Sequence, residues 1–175
     1  MREKLRGLVI TGFMGTGKTS VGRSVSRKLK MEFVDLDGEI EKEAGMKIVH
    51  IFSKMGEPAF RDMESRMLGK VLKVPGRVVS TGGGTILDPQ NLKLMKSYGM
   101  VICLWASPAE VQERIETCED RPLVKGENKL AKISELLEKR KAYYLSADIS
   151  VQTDGKSIEE ISEEIASHWR AAVDR

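Results

Sequence analysis

The sequence predicts an α/β protein, a parallel β-sheet with helices on both faces, built as one domain spanning residues 1–175. Three observations predict it. Short apolar runs alternate along the chain with segments of helical period, the pattern of strands connected by crossover helices. No Pro/Ser-rich linker, repeat or low-complexity segment divides the 175 residues. Finally, the first apolar run leads straight into Gly12-Phe13-Met14-Gly15-Thr16-Gly17-Lys18-Thr19, a glycine-rich loop that opens a helix, which is the strand–loop–helix order such a loop requires.

The elements follow in order. Leu8-Val9-Ile10 reads as the first strand, and Val21, Val25 and Leu29 recur at the spacing of a helix over 18–29. Glu32-Phe33-Val34 is the second strand, followed by helices near 38–44, 47–55 and 58–73. Val78-Val79-Ser80 is the third strand, with a helix near 88–97 after it. Val101-Ile102-Cys103-Leu104-Trp105 is the fourth. Ser107-Pro108-Ala109-Glu110 then carries a capping-box pattern with Pro at the first helical position, opening a helix over 108–117. A helix near 129–146 precedes the fifth strand, Ile149-Ser150-Val151. A second capping box, Ser157-Ile158-Glu159-Glu160, starts the last helix, where Ile158, Ile161, Ile165 and Trp169 form one apolar stripe suited to the core.

Ligands of such sheets sit at the carboxyl ends of the strands, so the loops after strands one to three carry the candidate chemistry. Glycines at 12, 15 and 17 let backbone N–H groups converge on a polyphosphate, and the helix beginning near Lys18 adds the positive end of its dipole. Gly12, Gly15, Thr16, Gly17, Lys18, Thr19 and Ser20 are the nucleotide-binding set. Lys18 would reach the β- and γ-phosphates, and Thr19 would ligate Mg²⁺. After strand two, alternation puts Asp35 and Asp37 on one side. Asp35 suits the Mg²⁺ shell and Asp37 an acceptor hydroxyl, the competing reading being a helix cap. After strand three, Gly82-Gly83-Gly84 suits a backbone pressed close to a ligand, against the bland alternative of a flexible connector. Arg61 shares a helix face with Glu64, while Arg121 lies in a polar stretch, about 116–128, that reads as a lid.

Composition narrows the function class. The hydrophobic content of 41% is ordinary for a globular chain that buries roughly 70% of its unfolded surface. A net charge of +3, with both signs interspersed, implies neither nucleic acid nor a membrane surface as partner. No apolar run nears the ~18 residues of a transmembrane span. The charged start, Met1 to Arg6, leaves no room for a signal peptide, and two cysteines, Cys103 and Cys118, make no disulfide framework. A reducing cytoplasm is the expected location.

Over nearly its whole length the chain resembles the shikimate kinase family. The resemblance rests on the phosphate loop, Asp35-Leu36-Asp37 with Glu39-Ile40-Glu41, Ile48 to Phe52, Gly56-Glu57, Phe60-Arg61, and Glu64. It continues through Gly82-Gly83-Gly84, Arg121-Pro122-Leu123, and Arg140 four residues before Tyr144. It implies a P-loop fold of strand order 2-3-1-4-5, a monomer, and a lid that closes over ATP. The implied activity is transfer of the ATP γ-phosphoryl group to the 3-hydroxyl of shikimate, a ring with one carboxylate and three hydroxyls. By resemblance the substrate region covers about 37–64. Arg61 and Arg140 clamp the carboxylate, Asp37 holds the ring hydroxyls and takes the proton, and Gly82, Gly83 and Gly84 donate N–H groups. Arg121 enters with the lid beside Lys18, Arg114 lies against the adenine, and Thr19 and Asp35 hold Mg²⁺. Thr153 to Lys156 would lie near the adenine. Ala142 replaces a proline common in relatives, which puts local helix stiffness rather than activity in question.

Three other readings share the phosphate loop, one of them a non-catalytic ATP-binding regulator, which would not need Asp37, Arg61, Arg140 and the glycines together. A GTPase switch would use Asp35-Leu36-Asp37-Gly38, but Asn128-Lys129-Leu130-Ala131 lacks the aspartate of a guanine-selecting motif. A kinase of another small polyhydroxy acid such as gluconate, or of a nucleoside monophosphate, is the last, and with 5% aromatics no nucleobase wall is evident near Arg61 or the glycine run.

Overall fold

The computed structural model describes residues 6–116 and 128–174. Five strands form one parallel sheet in the order β2-β3-β1-β4-β5. β1 (Gly7–Gly12) lies at its centre, between β3 (Arg77–Ser80) and β4 (Gly99–Trp105), with β2 (Glu32–Asp35) and β5 (Ile149–Gln152) at the edges. The alternation of side chains along a strand divides β1 between two cores. Leu8 and Ile10 join Val21 and Val25 of α1 (Lys18–Leu29) and Ile161 and Ile165 of α7 (Ile158–Val173). Val9 turns the other way, toward α2 (Leu36–Ala44), α3 (Ile48–Val71), α4 (Pro89–Tyr98), α5 (Pro108–Glu116) and α6 (Lys129–Tyr144). Burial on both faces explains why β1 and β4 read as continuous apolar runs rather than as alternating ones.

Register brings the functional loops together. Asp35 pairs with Ser80 and Ser80 with Ile10, so β2 and β3 end together, while β1 runs two residues farther to Gly12, beside Leu104 of β4. The expected strands and helices are present within one to three residues, and α3 is divided as the sequence predicted. Gly56, at φ 81° and ψ 168°, interrupts the helical backbone between its two halves. That conformation is open to glycine and costly for any other residue. α6 runs without interruption through Ala142, which is exposed.

Three local expectations need correction. Asp35 and Asp37 do not alternate along a strand, because β2 passes directly into α2 and Asp37 already lies in its first turn. Ser107 is only half of a capping box. Its Oγ accepts from Glu110 N at 3.3 Å, but the Ser107 N–H donates to Asp154, at 2.9 and 3.2 Å to the two carboxylate oxygens, and Glu110 pairs with Arg114 instead. The box at Ser157 is complete. In the stripe of α7, Ile161 and Ile165 are buried while Ile158, in the first turn, is half exposed beyond the edge of the packed surface. A 3₁₀ turn, Thr85–Leu87, was not expected, nor was the Asp88 cap that starts α4 by accepting from Gln90 N at 2.8 Å.

Candidate active site

A cleft of about 1230 Å³ opens at the carboxyl ends of β1, β2 and β3. One end is the phosphate loop. Gly15 and Gly17 adopt positive φ, 76° and 87°, turning the backbone between β1 and α1 in a way a Cβ would strain. Thr16 Oγ1 donates to Phe13 O at 2.8 Å, and Lys18 Nζ donates to the same carbonyl at 2.8 Å, spanning the loop. The first turn of α1 contains no acidic residue of its own, and the positive end of its dipole faces the loop.

Beside the loop, Thr19 Oγ1 donates to Asp35 Oδ2 at 2.8 Å. Asp35 makes no side-chain cap bond to α2, which removes the capping alternative for it. The pair offers a hydroxyl and a carboxylate oxygen at one point, hard donors that suit Mg²⁺. Among the described residues no group of three His, Cys, Asp or Glu side chains could hold a metal by itself. A cation here therefore depends on phosphate and water oxygens for the rest of its shell.

The other end of the cleft is built on the glycine run. These three glycines do not have positive φ; what they supply is space. A Cβ on Gly82 would collide with Glu64 Oε1 and come within 3.1 Å of Asp37 Oδ1. One on Gly84 would lie 2.5–2.7 Å from three guanidinium atoms of Arg61. Arg61 lies over this floor with carboxylates on both sides. Nη1 donates to Glu64 Oε2 at 2.7 Å, and Nε and Nη2 donate to Glu57 Oε1 at 3.2 and 3.0 Å. Burial works to lower the Arg61 pKa, but Glu64 and Glu57 outweigh it and raise the value further above its usual range. Glu64 is 1% exposed and also accepts from Thr85 Oγ1. It therefore locks the arginine from beneath, a role the sequence signalled only through the i, i+3 spacing.

Arg140 reaches the cleft from α6, its guanidinium carbon 5.8 Å from the centroid of the buried Phe13 ring. Arg114, at the end of α5, donates to Gly15 O at 3.5 Å, Thr153 Oγ1 at 3.0 Å and Thr153 O at 3.1 Å, which sets it between the phosphate loop and the segment after β5. Lys18, Thr19, Ser20, Asp35, Asp37, Arg61, Gly82, Gly83, Gly84, Arg114 and Arg140 thus share one cleft. Arg121, Cys118 and most of the stretch read as a lid lie outside the described residues. Phe52 and Phe60 line the cleft near Arg61, with ring centroids 4.7 Å apart. An aromatic wall therefore exists where low aromatic content suggested none. Asn128 and Lys129 stand at the start of α6 rather than after a strand, away from where a base-reading motif would be needed.

A parallel sheet of this order, a phosphate loop at its centre, and an acid with two arginines in the same cleft define an ATP-dependent phosphotransferase of the P-loop kinase class. The family model "Shikimate kinase" matches residues 14–170. The chain is 46% identical over 166 residues to the shikimate kinase of Persephonella marina, covering 95% of this chain and 100% of that one. It is 44% identical over 165 residues to that of Thermodesulfovibrio yellowstonii, covering 94% and 95%. Its fold matches the structure of shikimate kinase from Acinetobacter baumannii in complex with shikimate at a TM-score of 0.91 and 32% identity, over 97% and 96% of the two chains. The chain belongs to the shikimate kinase family.

Proposed function

We infer that this chain transfers the γ-phosphoryl group of ATP to the 3-hydroxyl of shikimate, giving shikimate 3-phosphate and ADP. The observation that carries the reading is that Asp37, Arg61 and Arg140 stand in the same cleft as the phosphate loop, around a floor of three glycines. Phosphoryl transfer needs little covalent chemistry from the protein. Positioning of both substrates and stabilisation of charge on the moving group supply most of the rate. The N–H groups of Gly12, Gly15, Thr16 and Gly17 and the Lys18 ammonium hold the phosphates, with Ser20 beside them. Arg61 and Arg140 grip the acceptor carboxylate with planar forks that fix orientation as well as charge. The N–H groups of Gly82, Gly83 and Gly84 face the acceptor. Asp37 then holds the ring hydroxyls and receives the proton of the attacking one. Arg114 covers the adenine, and Arg121 arrives with the lid to share the developing charge with Lys18.

Thr19 and Asp35 would hold Mg²⁺, which would supply positive charge to offset the negative charge of the phosphates. The same reading makes residues 1–175 one catalytic domain, working as a monomer in the cytoplasm, with no nucleic-acid or membrane partner. No described helix is long and apolar enough to cross a membrane. The test is ADP release from Mg-ATP with shikimate, gluconate or a panel of nucleoside monophosphates. Shikimate-dependent release is expected. Release with another acceptor and none with shikimate would overturn the assignment while leaving the kinase class intact.

A further inference from the structure

One buried polar contact behind the glycine floor of the cleft has no part in the transfer itself. The Tyr144 hydroxyl donates to Gly83 O at 2.8 Å, across 61 residues of sequence. Its ring is fully buried at the end of α6 and meets Trp105 edge-on, with centroids 6.2 Å apart and planes at 73°. Burial pushes the phenol up to about 12, with the nearby Arg140 guanidinium pulling the other way, so the O–H stays a donor at any physiological pH. A core that needed only volume at this position would be served by Phe, without the desolvation cost of a hydroxyl.

The two ends of that bond are informative. Arg140 lies one helical turn before Tyr144, so the two side chains share a face of α6. Gly83 is the middle residue of the floor. A Cβ on it would come within 3.3–3.4 Å of Gly12 O and Met14 N, so its backbone rests on the phosphate loop. Its neighbour Gly84 lies beneath the Arg61 guanidinium. The Tyr144 bond thus joins the helix that carries one arginine to the strip of backbone that supports the other. We propose that Tyr144 is a positioning residue for the acceptor: by tying α6 to Gly83 it sets the separation of Arg61 and Arg140. Two guanidinium forks grip one carboxylate only when their spacing is held to a fraction of an ångström, because each fork demands its own planar geometry.

This inference rests on the assignment of shikimate as acceptor, and the experiment separates the two. Steady-state kinetics are measured for the parent, Tyr144→Phe, Arg140→Ala and the double variant, with thermal unfolding of each. Leu137→Val, which loosens the same helix in the same core, serves as a packing control. Tyr144→Phe should raise the KM for shikimate about five- to tenfold, leaving kcat within about threefold and the KM for ATP within about twofold. Added to Arg140→Ala, it should change the shikimate KM less than about twofold, since a tie that acts through Arg140 has nothing left to position. Leu137→Val should lower the melting temperature without a selective rise in that KM. A multiplicative effect in the double variant would overturn the proposal. So would loss of kcat with both KM values unchanged, or a matching KM shift in Leu137→Val. A parent that turns over shikimate alongside an unaltered Tyr144→Phe would sink this inference alone. A parent inert toward shikimate would sink the functional assignment with it.

Discussion

Arg61 shows how much of this site depends on single atoms. Its guanidinium lies between the buried Glu64 and the half-exposed Glu57, over a residue with no side chain. Gly84→Ala should therefore act on substrate binding and not on folding. The new methyl displaces the far end of a long side chain rather than backbone. The shikimate KM should rise by a factor of about 10 or more, as for loss of a charge-assisted contact of roughly 1.5–3 kcal/mol. The KM for ATP and the melting temperature should stay near those of the parent, and kinetics with a thermal scan checks both. A variant that unfolds would show the floor to be structural. Arg61 and Glu64 were legible from their spacing on one helix face. The Thr85 hydroxyl that satisfies Glu64 from 21 residues away was not, because no local period links the two.

At the scale of elements, the segment after β5 holds α5 at both ends. Thr153 accepts from Arg114 in the last turn, and Asp154 accepts from the Ser107 N–H at the first. A carboxylate there satisfies an orphan donor and also complements the positive end of the helix dipole. Asp154→Ala should lower stability by about 1–2 kcal/mol in urea unfolding, the usual cost of losing a cap. It should also raise the KM for ATP about threefold or more, because α5 carries Arg114 beside the phosphate loop, with the shikimate KM unchanged. An unaltered ATP KM would detach α5 from nucleotide binding. From sequence, the pattern Ser107-Pro108-Ala109-Glu110 located the start of α5 correctly and named the wrong partner. Capping statistics describe neighbours along the chain, whereas Asp154 arrives from 47 residues away.

The whole molecule responds to alkaline pH through its interior. Burial pushes the Cys103 thiol, in the middle of β4, from 9.0 up to about 12, with Lys18 opposing, and the Tyr144 phenol rises likewise from 10.0 to about 12. Both groups hold their protons more tightly folded than unfolded. Their contribution is therefore complete below pH 9 and is lost as pH climbs from 9 toward 12, while the unfolded chain ionises and the native chain resists. Above pH 9 the thiol alone should remove about 1.4 kcal/mol of stability per pH unit. Urea unfolding at pH 8 and 10.5 should show a steeper decline in the parent than in Cys103→Ala, which lacks the group. Parallel declines would mean that the thiol is solvated in the native state.

By itself the sequence determined the order of strands and helices, the phosphate loop, the break at Gly56 and the acidic, basic and glycine residues of the cleft. These are written in local terms: period, spacing, and the residue types that a turn or a phosphate demands. The order of the strands across the sheet came into view only through family resemblance, and the sheet registers then set Asp35 and Ser80 level with Ile10, two residues before Gly12. Only the tertiary structure decided why Gly82 and Gly84 must lack side chains, which carboxylate caps α5, and that Tyr144 is bonded to Gly83. Each is a contact between segments distant in sequence. Such contacts are selected by packing of the two cores around the sheet, and packing leaves no period along the chain from which to read them.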